Sequence, residues 1–236
     1  MRVVDMAGLK VRITGGTDRE GAGDGPLVVL FHGFGAPGDD LVSLARVLRA
    51  PPGTRFAFPE APLSLAALGM PQGRAWWMID MARMQRVRTP SAIEQMSTEV
   101  PDGLAATRDK VVATLDALDA ALHPSKVVLG GFSQGAMLSV DVALRTTRPL
   151  AGVVVMSGAL IARAEWEALA PKRAGLRVVQ SHGNRDPILP FVAGERLAEL
   201  LKSAGLVQTW VPFSGEHAIP PVVVDAVGGF LEGLVG

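Results

Sequence analysis

Short apolar runs alternating with longer amphipathic stretches predict an α/β fold, a mostly parallel central sheet flanked by helices. Six runs read as buried strands: Leu27–His32, Arg55–Phe58, Lys126–Gly131, Gly152–Ser157, Leu176–His182 and Thr209–Phe213. Each is strongly apolar or β-branched and is bounded by Gly, Pro or polar residues. Near-continuous stretches such as Val127-Val128-Leu129 and Val153-Val154-Val155 suit strands covered on both faces, which is the condition of a parallel sheet. Between the runs lie five helical candidates, at about Asp39–Leu48, Leu104–Leu122, Gln134–Arg145, Pro190–Ser203 and Pro221–Leu234.

The glycines Gly15-Gly16 and Gly21–Gly25 suggest turns around a short N-terminal hairpin. The tract from about Pro59 to Pro101 is too long for an ordinary connection and is rich in Met, Trp and Arg, so it reads as an irregular functional excursion. No repeat, low-complexity linker or shift in composition divides the 236 residues, and a single domain over residues 1–236 is expected.

Composition narrows the function classes. Lys+Arg 23 against Asp+Glu 23 leaves no net charge, which argues against a partner held by its phosphates, so no nucleic acid is expected. The chain has no cysteine, which excludes thiol catalysis, disulfides and thiolate metal sites. Met1-Arg2 leads into Val3-Val4 and then Asp5, so no secretory apolar core develops, and no apolar run approaches the roughly 18 residues of a membrane span. A cytoplasmic protein without a transmembrane segment is the expectation.

One segment carries chemistry. Gly131-Phe132-Ser133-Gln134-Gly135 follows the run Lys126–Gly130 directly and precedes a helical stretch. A G-x-S-x-G pentapeptide alone is a weak signal, and a tight turn with an incidental serine would look the same. The strand–turn–helix setting is what a nucleophile elbow requires, because side chains two residues either side of the serine would clash with neighbouring backbone. A serine hydroxyl needs a base. Of four histidines, His123 lies at a predicted helix end, His32 shapes the turn His32-Gly33-Phe34-Gly35, and His182 ends a strand. His217, in the loop Ser214–Pro220 after the last strand, is free to reach over the strand ends. Asp186, in Gly183-Asn184-Arg185-Asp186-Pro187, follows another strand and would orient the imidazole. Taken alone, without Ser133 and His217, it reads better as a turn aspartate capping the helix at Pro190. Ser133, Asp186 and His217 nevertheless occur in the chain order found in α/β-hydrolases. The backbone N–H groups of Gln134 and Phe34 are the candidate oxyanion donors. The glycine-rich turn could also cradle a phosphate, but no Lys-Ser/Thr follows it as in a P-loop.

These segments together resemble the phospholipase/carboxylesterase family, which includes acyl-protein thioesterases and bacterial carboxylesterases. The similarity rests on Phe31-His32-Gly33-Phe34-Gly35, Gly131-Phe132-Ser133-Gln134-Gly135-Ala136, His182-Gly183-Asn184-Arg185-Asp186-Pro187 through Pro190, and Gly215-Glu216-His217-Ala218-Ile219-Pro220, and runs from about Leu27 to the C-terminus. The resemblance implies an α/β-hydrolase fold, a catalytic triad of Ser133, Asp186 and His217, oxyanion donors at Phe34 and Gln134, and hydrolysis of esters or thioesters with no metal or cofactor. Two departures stand out. Ala75-Trp76-Trp77-Met78-Ile79-Asp80 replaces an A-W-F-D-like tract, and Ala36 stands where the family's H-G-L-G-D pattern has its acid.

The substrate side is open. Leu68, Trp76, Trp77 and Met78 are the residues of the excursion expected to bind substrate, accompanied by Leu63, Leu65, Met70, Met81 and Met84. They would line an adaptable acyl channel, or equally form a small core under the loop. Arg83, Arg86 and Arg88 suit a solvated basic face better than a site for an anionic head group. The reading is a serine carboxylesterase for small or lipid-like esters. Thioesterase, acyltransferase and non-catalytic ligand-binding readings stand beside it, and the apolar tract would also serve a homodimer.

Overall fold

The computed structural model describes residues 1–84 and 86–234. Its strands are β1 (Arg2–Met6), β2 (Leu9–Gly15), β3 (Leu27–Phe31), β4 (Arg55–Pro59), β5 (Leu63–Ser64), β6 (Arg74–Ala75), β7 (Val127–Phe132), β8 (Gly152–Met156), β9 (Arg177–Gly183) and β10 (Val207–Phe213). Its α-helices are α1 (Leu44–Val47), α2 (Met81–Met84), α3 (Pro90–Thr98), α4 (Leu104–Leu122), α5 (Gln134–Arg145), α6 (Arg163–Leu169), α7 (Phe191–Ser203) and α8 (Pro221–Glu232). Eight strands form one sheet in the order β1-β2-β4-β3-β7-β8-β9-β10, and β5 pairs only with β6. From β4 to β10 every pairing is parallel; β1 and β2 are antiparallel additions at one edge.

Both faces of the sheet are covered, which explains the continuous apolar strands. Leu27, Val29 and Phe31 of β3 and Val153 and Val155 of β8 point into one core with α4, α5, Trp166 of α6 and Leu197 of α7. Val28, Leu30, Val154 and Met156 point the other way, into a second core with Leu44 of α1 and Val223, Val227 and Phe230 of α8. Helix α5 is buried from Gln134 to Leu144. Its one carboxylate, Asp141, is fully buried and accepts from Arg108 Nη1 at 2.9 Å, Arg145 Nε at 3.0 Å and the Trp166 indole at 2.9 Å. Among the described residues no helix is long and apolar enough to cross a membrane.

Four local expectations change. The N-terminal hairpin turns at Ala7-Gly8, not at Gly15-Gly16. Both central residues have positive φ, 52° and 79°, as a two-residue type I′ turn requires, and the later glycines belong to the β2–β3 connection. Within Asp39–Leu48 only Leu44–Val47 is α-helical, because the flanking bonds, Val42 N–H to Asp39 O and Ala45 N–H to Val42 O, close tighter three-residue turns. The 59–101 excursion contains β5, β6, α2 and α3. Helix α3 begins on a Thr89 cap, whose Oγ1 accepts from Ala92 N–H at 3.2 Å, with Pro90 in the first position. Helix α6 was not anticipated at all.

Removing Asp141 strands the Trp166 indole N–H and takes a partner from Arg108 and from Arg145, which keeps Glu165. Asp141→Ala should lower stability by about 3 kcal/mol in urea denaturation at constant m value. A loss under about 1 kcal/mol would show that the carboxylate does not brace α5.

Candidate active site

Ser133 stands at the junction of β7 and α5 with φ 56° and ψ −118°, a conformation costly for any residue with a Cβ. Its surroundings hold it there. Ser133 N–H donates to Met156 O at 2.9 Å, and Ser133 O accepts from Ala136 N–H at 3.0 Å and Met137 N–H at 3.2 Å. The flanking glycines are required by contact: a Cβ on Gly135 would lie 2.0 Å from Phe31 O, and one on Gly131 would lie 2.5 Å from the Gly135 backbone. Gly33 is in ordinary contact with the serine, since a Cβ there would sit 3.4 Å from Ser133 Cβ. The loop after β3 therefore lies directly against the serine.

That loop is held by its polar groups. His32 is buried, its Nε2 accepting from Ala61 N–H at 3.1 Å and its Nδ1 lying 2.9 Å from Gly33 O, which makes Nδ1 the protonated nitrogen. Burial holds its pKa below the ordinary imidazole value. Gly35 N–H donates to Arg74 O at 2.9 Å. Phe34 occupies the turn between them. Gln134, first residue of α5, has no intrahelical acceptor for its N–H.

The Gln134 side chain does something its sequence position did not announce. Fully buried, it accepts from Trp76 N–H at 3.0 Å through Oε1 and donates to Trp77 O at 2.8 Å through Nε2, pairing with that segment as a strand would. The Trp76 indole in turn donates to His32 O at 2.9 Å. Elbow, excursion and β3 loop are thereby one hydrogen-bonded unit. The only sequence signal was a polar side chain on an apolar helix. Trp76 and Trp77 are 1% and 3% exposed and belong to the main core, so they stand behind the site instead of on an open wall. Leu68 and Met78 are 59% and 51% exposed. Arg83 pairs with Glu99 at 2.9 Å, while Arg88 donates to Pro187 O, tying the excursion to the loop that carries Asp186.

Asp186 and His217 meet because β9 and β10 go on pairing past their ends. Asn184 N–H donates to Phe213 O and Arg185 N–H to Gly215 O, both at 2.9 Å. Gly183 permits the approach: a Cβ there would be 2.3 Å from Glu216 O. Asp186 Oδ2 lies 2.6 Å from His217 Nδ1. A carboxylate only accepts, so Nδ1 carries the proton and Nε2 is left as a base. The other oxygen, Oδ1, accepts from Ile188 N–H at 2.8 Å and Leu189 N–H at 2.9 Å. Burial by itself would raise the Asp186 pKa, but the hydrogen bonds from His182 and His217, with the charge of His217, hold it well below the usual carboxylate range. The His217 ring packs on Phe132, the neighbour of Ser133, with centroids 4.7 Å apart. All three candidate residues thus lie at the carboxyl ends of parallel strands. Among the described residues no group of three or more His, Asp or Glu side chains is placed to hold a metal.

Gln134→Leu leaves a backbone N–H and a carbonyl buried without partners, so it should cost about 2–4 kcal/mol in chemical denaturation. Wild-type stability would show that the Trp76–Trp77 segment is held by other contacts. For Asp186, a lowered native pKa means stability that is present above the unfolded value of 3.8 and is lost as pH falls through it towards the native pKa. The stability gap between wild type and Asp186→Asn should therefore narrow as pH falls below about 4. A gap independent of pH down to about 2 would contradict the charged pairing.

The phospholipase/carboxylesterase family pattern matches residues 20–235. Acyl-protein thioesterase 1 of Mycosarcoma maydis is 30% identical over 186 residues, 75% of this chain and 77% of its own length. Acyl-protein thioesterase 1 of Emericella nidulans is 26% identical over 219 residues, 88% of this chain and 90% of its own. The crystal structure of esterase PE8 superposes with a TM-score of 0.78 at 28% identity, covering 94% of this chain and 97% of that one. The fold is the α/β-hydrolase fold, and the chain belongs to the phospholipase/carboxylesterase family, serine hydrolases whose relatives here are named esterases and thioesterases.

Proposed function

We propose that the protein is a serine carboxylesterase that hydrolyses carboxylic esters of small or lipid-like substrates. The carrying observation is the 2.6 Å bond between Asp186 Oδ2 and His217 Nδ1, with His217 packed on the residue beside Ser133. In this reading His217 Nε2 takes the Ser133 hydroxyl proton as Oγ attacks the ester carbonyl carbon. The oxyanion that forms is received by the N–H groups of Gln134 and Phe34. The tetrahedral adduct collapses by breaking the bond to the leaving oxygen, which departs as the alcohol with the proton from His217. Water then gives a proton to His217 and its oxygen to the acyl carbon, and Ser133 leaves with that proton restored. Asp186, kept ionised, holds the imidazole tautomer and balances the imidazolium. The steps call on no cofactor.

A thioester reading uses the same residues and is favoured by one observation, that relatives similar over three-quarters or more of the chain are named acyl-protein thioesterases. The leaving group is then a thiol, a better leaving group that needs less help from His217.

Turnover of p-nitrophenyl esters from acetate to palmitate tests the reading, with Ser133→Ala measured in parallel. The variant should lose at least ~10³-fold in kcat, and kcat/KM of the wild type should rise with pH as His217 loses its proton. Residual activity within tenfold of wild type in Ser133→Ala would overturn the acyl-serine mechanism. Matched oxygen and thiol esters of one acyl chain then decide between the two substrate classes.

A further inference from the structure

The carboxylate of Asp186 is approached by two imidazoles, and the mechanism above uses only one. His182, at the end of β9, is completely buried; its Nε2 lies 3.0 Å from Leu189 O and 3.3 Å from Asp186 Oδ2, the same oxygen that meets His217. A carbonyl cannot donate, so Nε2 carries a proton, which is shared between the carbonyl and the carboxylate. We infer that His182 is a positioning residue for the reaction, fixing the plane and moderating the basicity of Asp186 so that Oδ2 is presented to His217. The inference rests on the triad reading of the preceding subsection.

Three features support a dedicated role. First, a buried imidazole is expensive to leave half satisfied, yet His182 Nδ1 has no partner among the described residues. The ring is thus aligned by what Nε2 does. Second, it is held from behind by α7: a Cβ on Gly194 would fall 2.4 Å from His182 Nδ1, so the glycine is the space into which the ring fits. The Phe191 ring packs edge-on at 6.0 Å. Third, Leu189 ties the geometry into a closed loop, because its N–H donates to Asp186 Oδ1 while its carbonyl receives the His182 proton. Rotation of the carboxylate would break several of these bonds together.

The electronic consequence has a sign. A second donor on Oδ2 draws charge from the oxygen that His217 uses. With that donor gone the carboxylate attracts the His217 proton more strongly, and the base loses its proton only at higher pH.

The test is the pH profile of kcat/KM on a short p-nitrophenyl ester for wild type, His182→Ala, His182→Gln and Gly194→Ala, each checked for folding by circular dichroism. His182→Ala removes the donor, His182→Gln returns an N–H near the same place, and Gly194→Ala displaces the ring without altering its chemistry. The acid limb should move to higher pH in His182→Ala and Gly194→Ala, with kcat down on the order of tenfold and KM unchanged, and His182→Gln should recover most of both. An acid limb that stays in place or moves down in these variants, or a glutamine no better than alanine, overturns the positioning role. If His182→Ala does not fold, Gly194→Ala against His182→Gln gives the same decision. Ser133→Ala separates the two levels: if it is inactive while the His182 and Gly194 variants match wild type, only the positioning role fails. If Ser133→Ala is active, the triad reading fails with it.

Discussion

The arrangement of the site depends on how closely β3 and the β7–α5 elbow approach each other. Gly135 lies so near Phe31 O that any Cβ would be 2.0 Å from that oxygen, and Gly131 is as tightly set against the same strand. Nothing larger fits, and the approach brings the loop His32–Gly35 against Ser133. Strand order makes this useful, since β4 lies on one side of β3 and β7 on the other. In open α/β sheets a reversal of strand order of this kind is where ligands bind, beyond the carboxyl ends of the strands. The positive φ of Ser133 is tolerated because α5 is buried along its length and cannot relax away from the sheet. Asp141, paired below the elbow, keeps that buried helix from carrying an isolated charge.

The other half of the site is built by different means. Asp186 and His217 sit on separate loops, each of which would be mobile if it ended with its strand. Backbone pairing carries on through Asn184 and Arg185, so the two loops form one body, with Gly183 making room for Glu216 O. Four donors then converge on Asp186, from Ile188, Leu189, His182 and His217. That number explains how a buried carboxylate stays ionised, and the ionised form is the stronger acceptor for Nδ1–H of His217. The rigid half at Ser133 is steric in origin, and the half at Asp186 is polar.

Much of this was legible in the amino-acid sequence for physical reasons that can be named. Strands covered on both faces must be apolar at every position, so β3, β7, β8 and β9 stood out as continuous runs with bounds near those observed. Ser133 and Asp186 were visible as candidates because each follows such a run; His217 follows β10, read as buried at Thr209–Phe213 but in fact an edge strand with only Phe213 buried. Local winding was less legible. Leu41, Leu44 and Leu48 carry the spacing of a helix face, but three-residue and four-residue turns bury the same residues, and spacing does not distinguish them. The hairpin at Ala7-Gly8 went unseen because alanine at φ 52° is not a turn signal, while the showier glycines that follow drew the turn to themselves. The Gln134 bridge was illegible for a deeper reason: it joins segments far apart in the chain, and a side chain's partner across such a distance is fixed only once the sheet has assembled. The His182 contacts are local, reaching Asp186 and Leu189 in the loop that follows its own strand, but the path of that loop back over the ring is not carried by residue type or spacing.

The excursion divides along the same line between what the sheet holds and what it does not. Ala75–Trp77 is buried, hydrogen-bonded to Gln134 and to His32, and α3 is tied by Glu94 to Arg163 of α6 and Arg196 of α7. Substitution in these parts is transmitted to the elbow or to α7, whose Gly194 bounds His182. Leu63, Leu68 and Met78, by contrast, present large apolar side chains to solvent and have no such ties to the sheet. The departures from the family pattern fall next to these segments, at Ala36 beside the β3 loop and at Met78 just after the anchored tryptophans. A scaffold that fixes the reacting groups while leaving its rim free can change what it admits without disturbing how it reacts. The two buried tryptophans, through their bonds to His32 and Gln134, are part of what fixes the β3 loop and the elbow relative to each other.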